Sequence, residues 1–526
     1  MGRAYDACVQ RTLDALDDGR LRDRMVGWVV TIGITLMAFG LRFYNLGHPN
    51  KVLFDETYYA KDAWAILQSG YERNWAKDIN DQIIQGDLSG MEETGSFVVH
   101  PPLGKLLIGA GEAMFGMNPF GWRFAALVFG ALLVFFTIRL ARRLSRSTLI
   151  GAIAGLLLTF DGLAFVMSRI ALLDIFQATL AVAAISALVA DRDWFRHRLA
   201  DHLRRNNLDD LGGRFGPLML FRPWRLLSGI LFGLSCAVKW NSIYLLAVFG
   251  IVAVAWDLGA RQLAGAGSRK WFSILIDAPA AFVQLVVVAV PVYVATWWNW
   301  LATQGGYSRD WGLNNPDHVL VRFFGKPLGS LMWYHKQAYD FHTSERMMTE
   351  TTHPYESHPA SWILMLRPIG IEAENNIQPG DQGCEAVGST CMRIISGMGT
   401  PFLWWAAAIA LVAALYFWVF KRDWRFSVPV LALCGAWLPW FQYAERPIFF
   451  FYAIMMIPFS SIALAMVIGK ILGPEDHPRR RLRALISGLI VVIVILNFAY
   501  IYPILTAELI SRDGWWARMW LGNAWV

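Results

Sequence analysis

The sequence predicts an all-α polytopic membrane protein with about eleven transmembrane helices and two large extracytoplasmic loops. Of its 526 residues, 56% are hydrophobic and only 17% are charged, whereas soluble domains average about 25% charged residues. The apolar residues form runs of about 20, the length that a helix needs to cross the hydrocarbon core. The 25 tryptophans fit rings that anchor helix ends at the two interfaces. The net charge is +7. Because membrane proteins concentrate Lys and Arg in their cytoplasmic loops, this excess of basic residues is only weak support for nucleic-acid binding.

Eleven apolar runs are predicted to span the membrane. A shorter apolar stretch, Leu103–Met117, precedes the second of them and is predicted to be interfacial or re-entrant. Gly151 and Gly155 form a G-x-x-x-G inside the third, which predicts close packing against a neighbouring helix. The predicted spans are residues 26–44, 121–141, 147–166, 171–190, 224–239, 240–257, 273–297, 401–420, 427–443, 448–469 and 484–503.

Lysine and arginine determine the predicted orientation of these spans. The N-terminus and the polar segments after the even-numbered spans are all Arg-rich or basic, so they are placed in the cytoplasm. An odd number of spans then puts the C-terminus outside, in a multi-pass protein of the plasma membrane with no cleavable signal. The expected parts are a cytoplasmic segment 1–25, a transmembrane core 26–300 containing the first outer loop 45–120, a second outer loop 301–400, C-terminal helices 401–503 and an outer segment 504–526.

The five cysteines do not make a disulfide framework. Cys8, Cys236 and Cys434 are expected to be cytoplasmic or membrane-buried thiols. Cys384 and Cys391 lie close together in the second outer loop, where a disulfide is chemically feasible. The sequence leaves open whether that bridge forms.

The most informative segment runs from Asp55 to Gly70. Asp55 stands where a helix N-cap belongs and Gly70 where the C′ residue belongs. The residues between them predict an amphipathic helix on the outer membrane surface, with Asp55 and Glu56 at the height of the head groups. The simpler alternative is that Asp55 only caps the helix and Glu56 only complements its dipole. The predicted apolar face is Tyr59, Ala60, Ala63, Trp64, Ile66 and Leu67, and the polar face is Lys61, Asp62 and Gln68.

A second outer segment carries His100 and Lys105 in the sequence His-Pro-Pro-Leu-Gly-Lys. Its two prolines favour an extended backbone before the interfacial stretch, and Lys105 is placed near the head groups. A rigid turn with a snorkelling lysine is the simpler alternative.

Several cations lie at or inside the outer ends of the predicted spans, and one acid, Asp174, lies about one turn into the fourth. An ionisable group in the apolar region costs about 2–4 kcal/mol on insertion scales, so it usually has a partner or a function. Ion pairs within the bundle are one explanation. An outward-facing cationic cavity for the phosphate of a membrane-embedded lipid is the other. The cations are Arg42, Arg123, Arg169, Lys239 and Arg446.

Two short motifs are reminiscent of metal sites but are not assigned as such. Asp191-Arg-Asp193 matches the D-x-D of many soluble nucleotide-sugar enzymes, yet it lies at the predicted cytoplasmic end of a span and is interpreted as a solvated helix end. His353 and His358 flank Pro354 and match no strong zinc spacing. No P-loop, G-x-S-x-G or dinucleotide fingerprint is present. We therefore predict neither a metal nor a cofactor.

Taken in order, these segments resemble one family. They resemble the protein O-mannosyltransferases, a branch of the GT-C glycosyltransferase superfamily. The matching segments are Arg42-Phe-Tyr, Phe54-Asp-Glu, the segment from His100 to Lys105, Gly-Trp-Arg123-Phe, Ser168-Arg-Ile-Ala-Leu-Leu-Asp and Val238-Lys-Trp. The specific part is Asp-Glu followed by His-Pro-Pro-Leu-Gly-Lys. The resemblance implies a GT-C fold over essentially the whole membrane region.

One departure separates this chain from the eukaryotic members. These carry a β-trefoil domain in the loop between spans seven and eight, and the corresponding loop here, about 298–400, is too short for it. We interpret this loop as helix and coil. The chain is therefore similar to the bacterial, actinobacterial-type members, in which the carrier is a bacterial polyprenol.

The resemblance implies an inverting transfer of mannose from a β-linked polyprenyl-phosphate mannose to Ser or Thr hydroxyls of secreted or membrane proteins. Asp55 matches the catalytic acidic residue of the family, while Glu56 and Arg42 match positions needed for activity or acceptor handling. Arg123 and Lys239 match basic positions near the active site. The expected partners are the lipid donor, secreted acceptor proteins, membrane lipids and the secretion translocon, but no nucleic acid.

The residues also suggest a mechanism. A Ser or Thr hydroxyl is a poor nucleophile until a base takes its proton, and Asp55 is the candidate base. Cations near the leaving phosphate would stabilise its charge. Glu56 is expected to orient the acceptor or pair with Arg42, and Asp174 to serve structure or acceptor handling. The candidates for the donor phosphate and sugar are Arg123, Arg169, Lys239, His100 and Lys105.

Two other functions remain open at the level of sequence. A related GT-C transferase acting on a lipid or polysaccharide acceptor would use the same first loop and the same cations. A secondary transporter is disfavoured, because transporters usually show internal repeats and small outer loops.

Overall fold

The computed structural model describes residues 23–526. Cys8 and nearly all of the predicted cytoplasmic segment 1–25 lie outside these described residues. The first part of the described chain is helical, apart from one small hairpin in the first outer loop. Its helices are α1 (Arg24–Phe43), α2 (Glu56–Ser69), α3 (Asn80–Ile84), α4 (Leu103–Phe115), α5 (Pro119–Ser145), α6 (Thr148–Thr159), α7 (Gly162–Met167) and α8 (Asp174–Arg205).

The second part repeats this helical character, with several helices broken into short pieces. A π-helical turn, Val283–Val287, separates α11 from α12, and 3-10 turns precede or follow the later helices. The helices are α9 (Pro223–Cys236), α10 (Ser242–Leu263), α11 (Asp277–Phe282), α12 (Ala289–Ala295), α13 (Trp298–Ala302), α14 (Trp311–Asn314), α15 (Val319–Thr343), α16 (Pro401–Val419), α17 (Ser427–Trp437), α18 (Ile457–Leu472), α19 (Arg480–Ile501) and α20 (Arg512–Trp516).

Each of the eleven predicted spans contains a helix, so the polytopic helical class is confirmed. In the described chain, seven helices are long and apolar enough to cross a membrane. The remaining predicted spans contain α6, α9, α17 and α18, which are shorter. The number of crossings therefore stays a prediction. The seven long helices are Arg24–Phe43, Pro119–Ser145, Asp174–Arg205, Ser242–Leu263, Gly267–Ala295, Pro401–Val419 and Arg480–Leu505.

Local signals in the sequence explain where several helices begin. The Asn118 side chain accepts a hydrogen bond from the Gly121 amide, and Pro119 occupies the first turn of α5. The Asp161 carboxylate accepts from the Ala164 amide and starts α7, which divides the predicted third span into two helices.

The structure contains two small antiparallel sheets, and the one in the second outer loop corrects the expectation that this loop is helix and coil. In the first loop, β1 (Arg73–Trp75) pairs with β2 (Met91–Gly95). In the second, β3 (Ile369–Ile377) pairs with β4 (Cys391–Gly397), and β4 pairs with β5 (Leu509–Ser511) from the C-terminal segment. The sequence did not reveal this sheet because its third strand lies more than a hundred residues beyond the hairpin. The Cys384–Cys391 disulfide forms and joins the loop between β3 and β4 to the first residue of β4, with a Cα–Cα distance of 5.8 Å.

The core is centred on α8, which is buried along almost its whole length and packs against α5, α9 and α10. Close helix contacts depend on glycine. A Cβ at Gly155 would lie 2.3 Å from a side-chain carbon of Ile138, so the predicted close packing of the G-x-x-x-G segment is confirmed.

At the end of α8 remote from the outer loops, the D-x-D motif is buried rather than solvated, which corrects its interpretation. Arg222 and Arg225 donate to Asp191 at 2.7 and 3.0 Å, and both also bind Asp257 at 2.8 Å. Because the two carboxylates balance the two guanidinium groups, this buried cluster is neutral and keeps its polar atoms paired. Asp193 in turn binds Arg143 at 3.1 Å. The motif therefore joins α8, α9 and α10, and both of its aspartates are ion-paired with arginines.

Candidate active site

Asp55 occupies the N-cap position of α2, but its side chain makes no capping hydrogen bond. Instead the Leu53 amide donates to Glu56 Oε2 at 2.9 Å. The backbone before Asp55 is strained, since Phe54 has a φ of 45°. The Phe54 ring lies 6.1 Å from that of Phe449, which helps to hold this conformation. The alternative that Asp55 serves only as a helix cap is therefore wrong.

Burial and nearby charges tune the Asp55 carboxyl. Desolvation raises its pKa from 3.8 to about 6, while the Lys239 ammonium lowers it and Asp174 raises it. A hydrogen bond with Tyr59 also lowers it. A carboxyl with a pKa near neutrality is a suitable proton acceptor at physiological pH.

Lys239 and Asp174 form an ion pair next to Asp55, with Lys239 Nζ 2.7 Å from Asp174 Oδ2. Asp174 is the first residue of α8, where the helix dipole favours a negative charge. The Lys239 ammonium also lies 5.0 Å from the ring centroid of Tyr452. These contacts bring together two residues that the sequence assigned to different roles.

Lys239 lines a cavity of about 240 Å³. Asp55 is not part of the cavity wall. It interacts electrostatically with two residues of the wall, Lys239 and Tyr452. Both outer loops contribute, since the rings of His100 and His342 face each other at 5.7 Å. The lining residues are Val99, His100, Lys239, Trp240, Asn241, Ile243, Tyr244, Tyr339, His342, Thr343, Trp440, Tyr443, Arg446 and Tyr452.

Arg446 is the second cation of this cavity. Its Nη1 lies 3.3 Å from His342 Nδ1, and its buried Nε has no hydrogen-bond partner. Within residues 23–526, Arg446 forms no ion pair with a carboxylate, in contrast to Lys239. Burial and Arg446 lower the pKa of His342 to about 4, and burial lowers that of His100 well below its usual value. Both imidazoles are thus neutral near pH 7, and Arg446 leaves an uncompensated positive charge in the cavity.

Glu56 and Arg123 form a separate, fully buried pair. Arg123 Nε lies 2.8 Å from Glu56 Oε1, and its other donors reach Glu56 Oε2 and the carbonyls of Leu46, Pro49 and Lys51. All five N–H groups of Arg123 are therefore used. The structure corrects two expectations: Glu56 pairs with Arg123 rather than Arg42, and Arg123 has no donor left for a phosphate.

Lys105 is likewise paired with acidic residues away from the cavity. It is 1% exposed, donates to Glu72 and lies 3.9 Å from Asp62. Asp62 is consequently buried, although the helical pattern placed it on the polar face of α2. A lysine enclosed by two acids is a structural contact and not an available phosphate ligand.

Arg169 and Arg42 bind backbone carbonyls. Arg169 donates to the carbonyls of Arg42, Tyr44 and Asn45, and so holds the end of α1. Arg42 is fully buried and donates to the carbonyls of Ala38 and Leu158. Neither side chain lines the cavity.

Of the predicted donor ligands, the structure thus brings only His100 and Lys239 to the cavity. The predicted donor ligands did not include Arg446, although the sequence places it among the cations at outer span ends, and they did not include His342. His342 carried no signal, because it lies in a loop helix that contacts His100 only through the tertiary fold. No group of three or more potential metal ligands occurs within the described chain.

Two family models match the sequence. Residues 32–198 match the model described as dolichyl-phosphate-mannose-protein mannosyltransferase. Residues 330–525 match the C-terminal four-transmembrane region of protein O-mannosyltransferase. Together the two matches cover more than half of the chain.

Similar proteins and structures agree with these matches. The polyprenol-phosphate-mannose–protein mannosyltransferase of Mycolicibacterium smegmatis is 38% identical over 510 residues, covering 95% of this chain and 93% of that protein. Its namesake from Mycobacterium tuberculosis is 37% identical, covering 95% and 92%. The fold matches a chain of the Saccharomyces cerevisiae protein O-mannosyltransferase Pmt1–Pmt2 complex bound to the sugar donor, with a TM-score of 0.71, 13% identity and coverage of 95% and 93%. The chain therefore belongs to the protein O-mannosyltransferase family.

Proposed function

We propose that this protein transfers mannose from polyprenyl-phosphate mannose to Ser or Thr hydroxyls of secreted or membrane proteins, with Asp55 as the general base. The observation that supports these roles is the cavity itself. It places the paired cation Lys239 within electrostatic reach of Asp55, whose carboxyl has a pKa of about 6. The uncompensated cation Arg446 lies on the same wall, where both Arg446 and Asp55 interact electrostatically with Tyr452. The related mycobacterial enzymes carry this donor and acceptor class in their names.

The reaction is a single displacement at the anomeric carbon. The acceptor oxygen forms a bond to C1 as the C1–O bond to the phosphate breaks, and the hydroxyl proton passes to Asp55. The positive charge that develops at C1 is typical of glycosyl transfer. The departing phosphate gains negative charge, which Arg446 and Lys239 stabilise.

The sizes and charges of the cavity suit this donor. A volume of about 240 Å³ lies just below the roughly 300–1,000 Å³ of ordinary ligand pockets, so it fits one sugar ring with its phosphate rather than an oligosaccharide. Glu56 and Arg123 act behind the site as positioning residues, because they hold the segment 46–56 that presents Asp55.

We place this site at the outer face of the plasma membrane, with the N-terminus in the cytoplasm and the C-terminus outside. The support is the distribution of Lys and Arg, which are concentrated on the opposite side of the predicted spans. Acceptors would then meet the enzyme as they emerge from the secretion translocon, a partnership that we propose on this ground alone.

Transfer in vitro tests the function and the base together. Membranes containing the protein are mixed with radiolabelled polyprenyl-phosphate mannose and a Ser/Thr-rich peptide, and label on the peptide is measured. Asp55→Asn should reduce that label by about 100-fold or more, because the amide cannot accept the hydroxyl proton. The matched control is Asp81→Asn, at an exposed position of the same loop, which should leave transfer unchanged.

Three outcomes are decisive. Label on peptide that is lost only in Asp55→Asn supports the proposal. Turnover of Asp55→Asn within a few-fold of the parent protein shows that the base lies elsewhere. Label that appears in a lipid or glycan fraction instead of the peptide assigns the chain to the other acceptor class considered above.

A further inference from the structure

Trp240 forms part of the cavity wall and separates it from a packed aromatic cluster. On one side it lines the cavity of about 240 Å³. On the other it borders a gap of only about 10 Å³, shared with His335, Trp297 and Tyr334. The His335 ring stacks on Trp240 with centroids 5.6 Å apart and planes inclined by 21°. His335 thus stacks on the indole, while the His342 ring of the cavity wall approaches it edge-to-face with centroids 6.3 Å apart.

A chain of three hydrogen bonds fixes the orientation of this ring. Trp240 Nε1 donates to the Tyr293 hydroxyl at 2.9 Å. The Tyr293 hydroxyl lies 2.6 Å from His335 Nε2, and His335 Nδ1 lies 2.7 Å from the Leu331 carbonyl oxygen.

The carbonyl of Leu331 can only accept, so it determines the direction of the whole chain. Nδ1 of His335 must carry the proton, and Nε2 is then the acceptor for the Tyr293 hydroxyl. Burial lowers the pKa of His335, which favours this neutral form. Every donor in the chain from Trp240 to Leu331 has one acceptor, so the indole has a single favoured orientation.

The three side chains come from separate parts of the fold. Trp240 lies between α9 and α10, Tyr293 lies in α12, and His335 lies in α15 of the second outer loop. Lys239, which precedes Trp240 in the chain, lines the same cavity. So does His342, which lies in the same helix as His335. A rigid apolar surface therefore stands beside the cation that is assigned to the donor phosphate.

We propose that the cavity side of Trp240, held in place by Tyr293 and His335, is the surface on which the pyranose ring of the donor packs. This inference rests on the proposed function for the identity of the donor. A pyranose presents a patch of C–H groups that can pack on a flat aromatic ring, and an indole face also favours the positive charge that develops at C1. Tyr293 and His335 are positioning residues, since they act through Trp240.

Donor binding to the purified full-length protein tests this assignment. The probes are polyprenyl-phosphate mannose and polyprenyl phosphate without the sugar. Trp240→Leu should weaken binding of the mannosylated lipid by about ten-fold, the value of a good aromatic contact, and leave binding of the bare lipid phosphate unchanged. The matched control is Trp437→Leu, which removes another part-buried indole with one hydrogen bond, in this case to the Pro359 carbonyl, but lies outside the cavity.

A double-mutant cycle tests the role of the hydrogen-bonded chain. Tyr293→Phe keeps the ring and removes both hydrogen bonds of the Tyr293 hydroxyl, so it should weaken binding of the mannosylated lipid less than Trp240→Leu does. The double variant should be no worse than Trp240→Leu alone, because Tyr293 acts only through the indole. Should Trp240→Leu not fold, Trp240→Phe replaces it and should resemble Tyr293→Phe.

The proposal is overturned if both lipids lose affinity equally, which would place the isoprenoid or phosphate against Trp240. It is also overturned if the effects of Tyr293→Phe and Trp240→Leu add in the double variant. Because binding is measured without turnover, these results are independent of whether Asp55 is the base.

Discussion

At the scale of residues, two adjacent acids show how partners decide function. Glu56 is fully buried, but both of its oxygens accept hydrogen bonds from Arg123 and backbone amides. Asp55 lies next to it without a capping bond, and desolvation raises its pKa to about 6. A carboxylate whose oxygens are all bonded is fixed as a structural anion. One that is desolvated without enough donors is able to take up a proton.

The pH dependence of transfer should follow Asp55. A protonated carboxyl cannot act as a base, so kcat/KM should fall about ten-fold per pH unit below about pH 6. Burial lowers the pKa of His342 to about 4 and that of His100 well below its usual value, so the decline belongs to the carboxyl. The pH–rate profile between pH 5 and 8 measures it, with donor binding followed at each pH as the control. A flat profile down to pH 5 would contradict the assignment.

At the scale of elements, several cations expected at the phosphate instead connect helices. Arg123 joins α5 to the start of α2 through Glu56. Lys105 joins α4 to the first loop through Glu72, and Arg169 holds the end of α1 through three carbonyls. Each of these contacts is local in space but distant in sequence, and each removes a cation from the set available to the donor.

The same substitution at three arginines should separate these roles. Arg123→Met leaves Glu56 buried without its partner and should destabilise the protein by about 3–5 kcal/mol. Arg446→Met should change the thermal unfolding temperature little and raise the KM for donor, because it removes a cation from the cavity. Arg322→Met, at an exposed position of α15, is the control for both measurements. If Arg123→Met instead raised the KM for donor without loss of stability, Arg123 would be assigned to the donor site.

At the scale of the whole molecule, the two outer loops meet. Lys51 of the first loop lies 3.1 Å from Glu372 of the second. The Tyr334 hydroxyl is bonded to both backbone groups of Val98 at 3.0 Å. Segments in contact must lie on one side of the membrane, so the structure supports an active site that both loops share.

Cysteine labelling should report this sidedness. In a variant with Cys8, Cys236 and Cys434 replaced by serine, Asp87→Cys and Asp317→Cys each place an exposed thiol in one of the two outer loops. A membrane-impermeant maleimide added to intact cells should label both. Asp476→Cys, between α18 and α19, should react only after the membrane is opened. Labelling of the first two positions only in broken cells would invert the orientation.

The sequence by itself determined the membrane class, the helical runs and the position of Asp55. Those features follow from local properties: the hydrocarbon core demands long apolar runs, and the residue order around Asp55 and Glu56 is contiguous. Only the tertiary structure decided which cations remain free, why Arg446 and His342 join the site, and that β5 completes the outer sheet. The physical reason is that ion pairing and desolvation depend on distances between segments far apart in the chain, which no local pattern records.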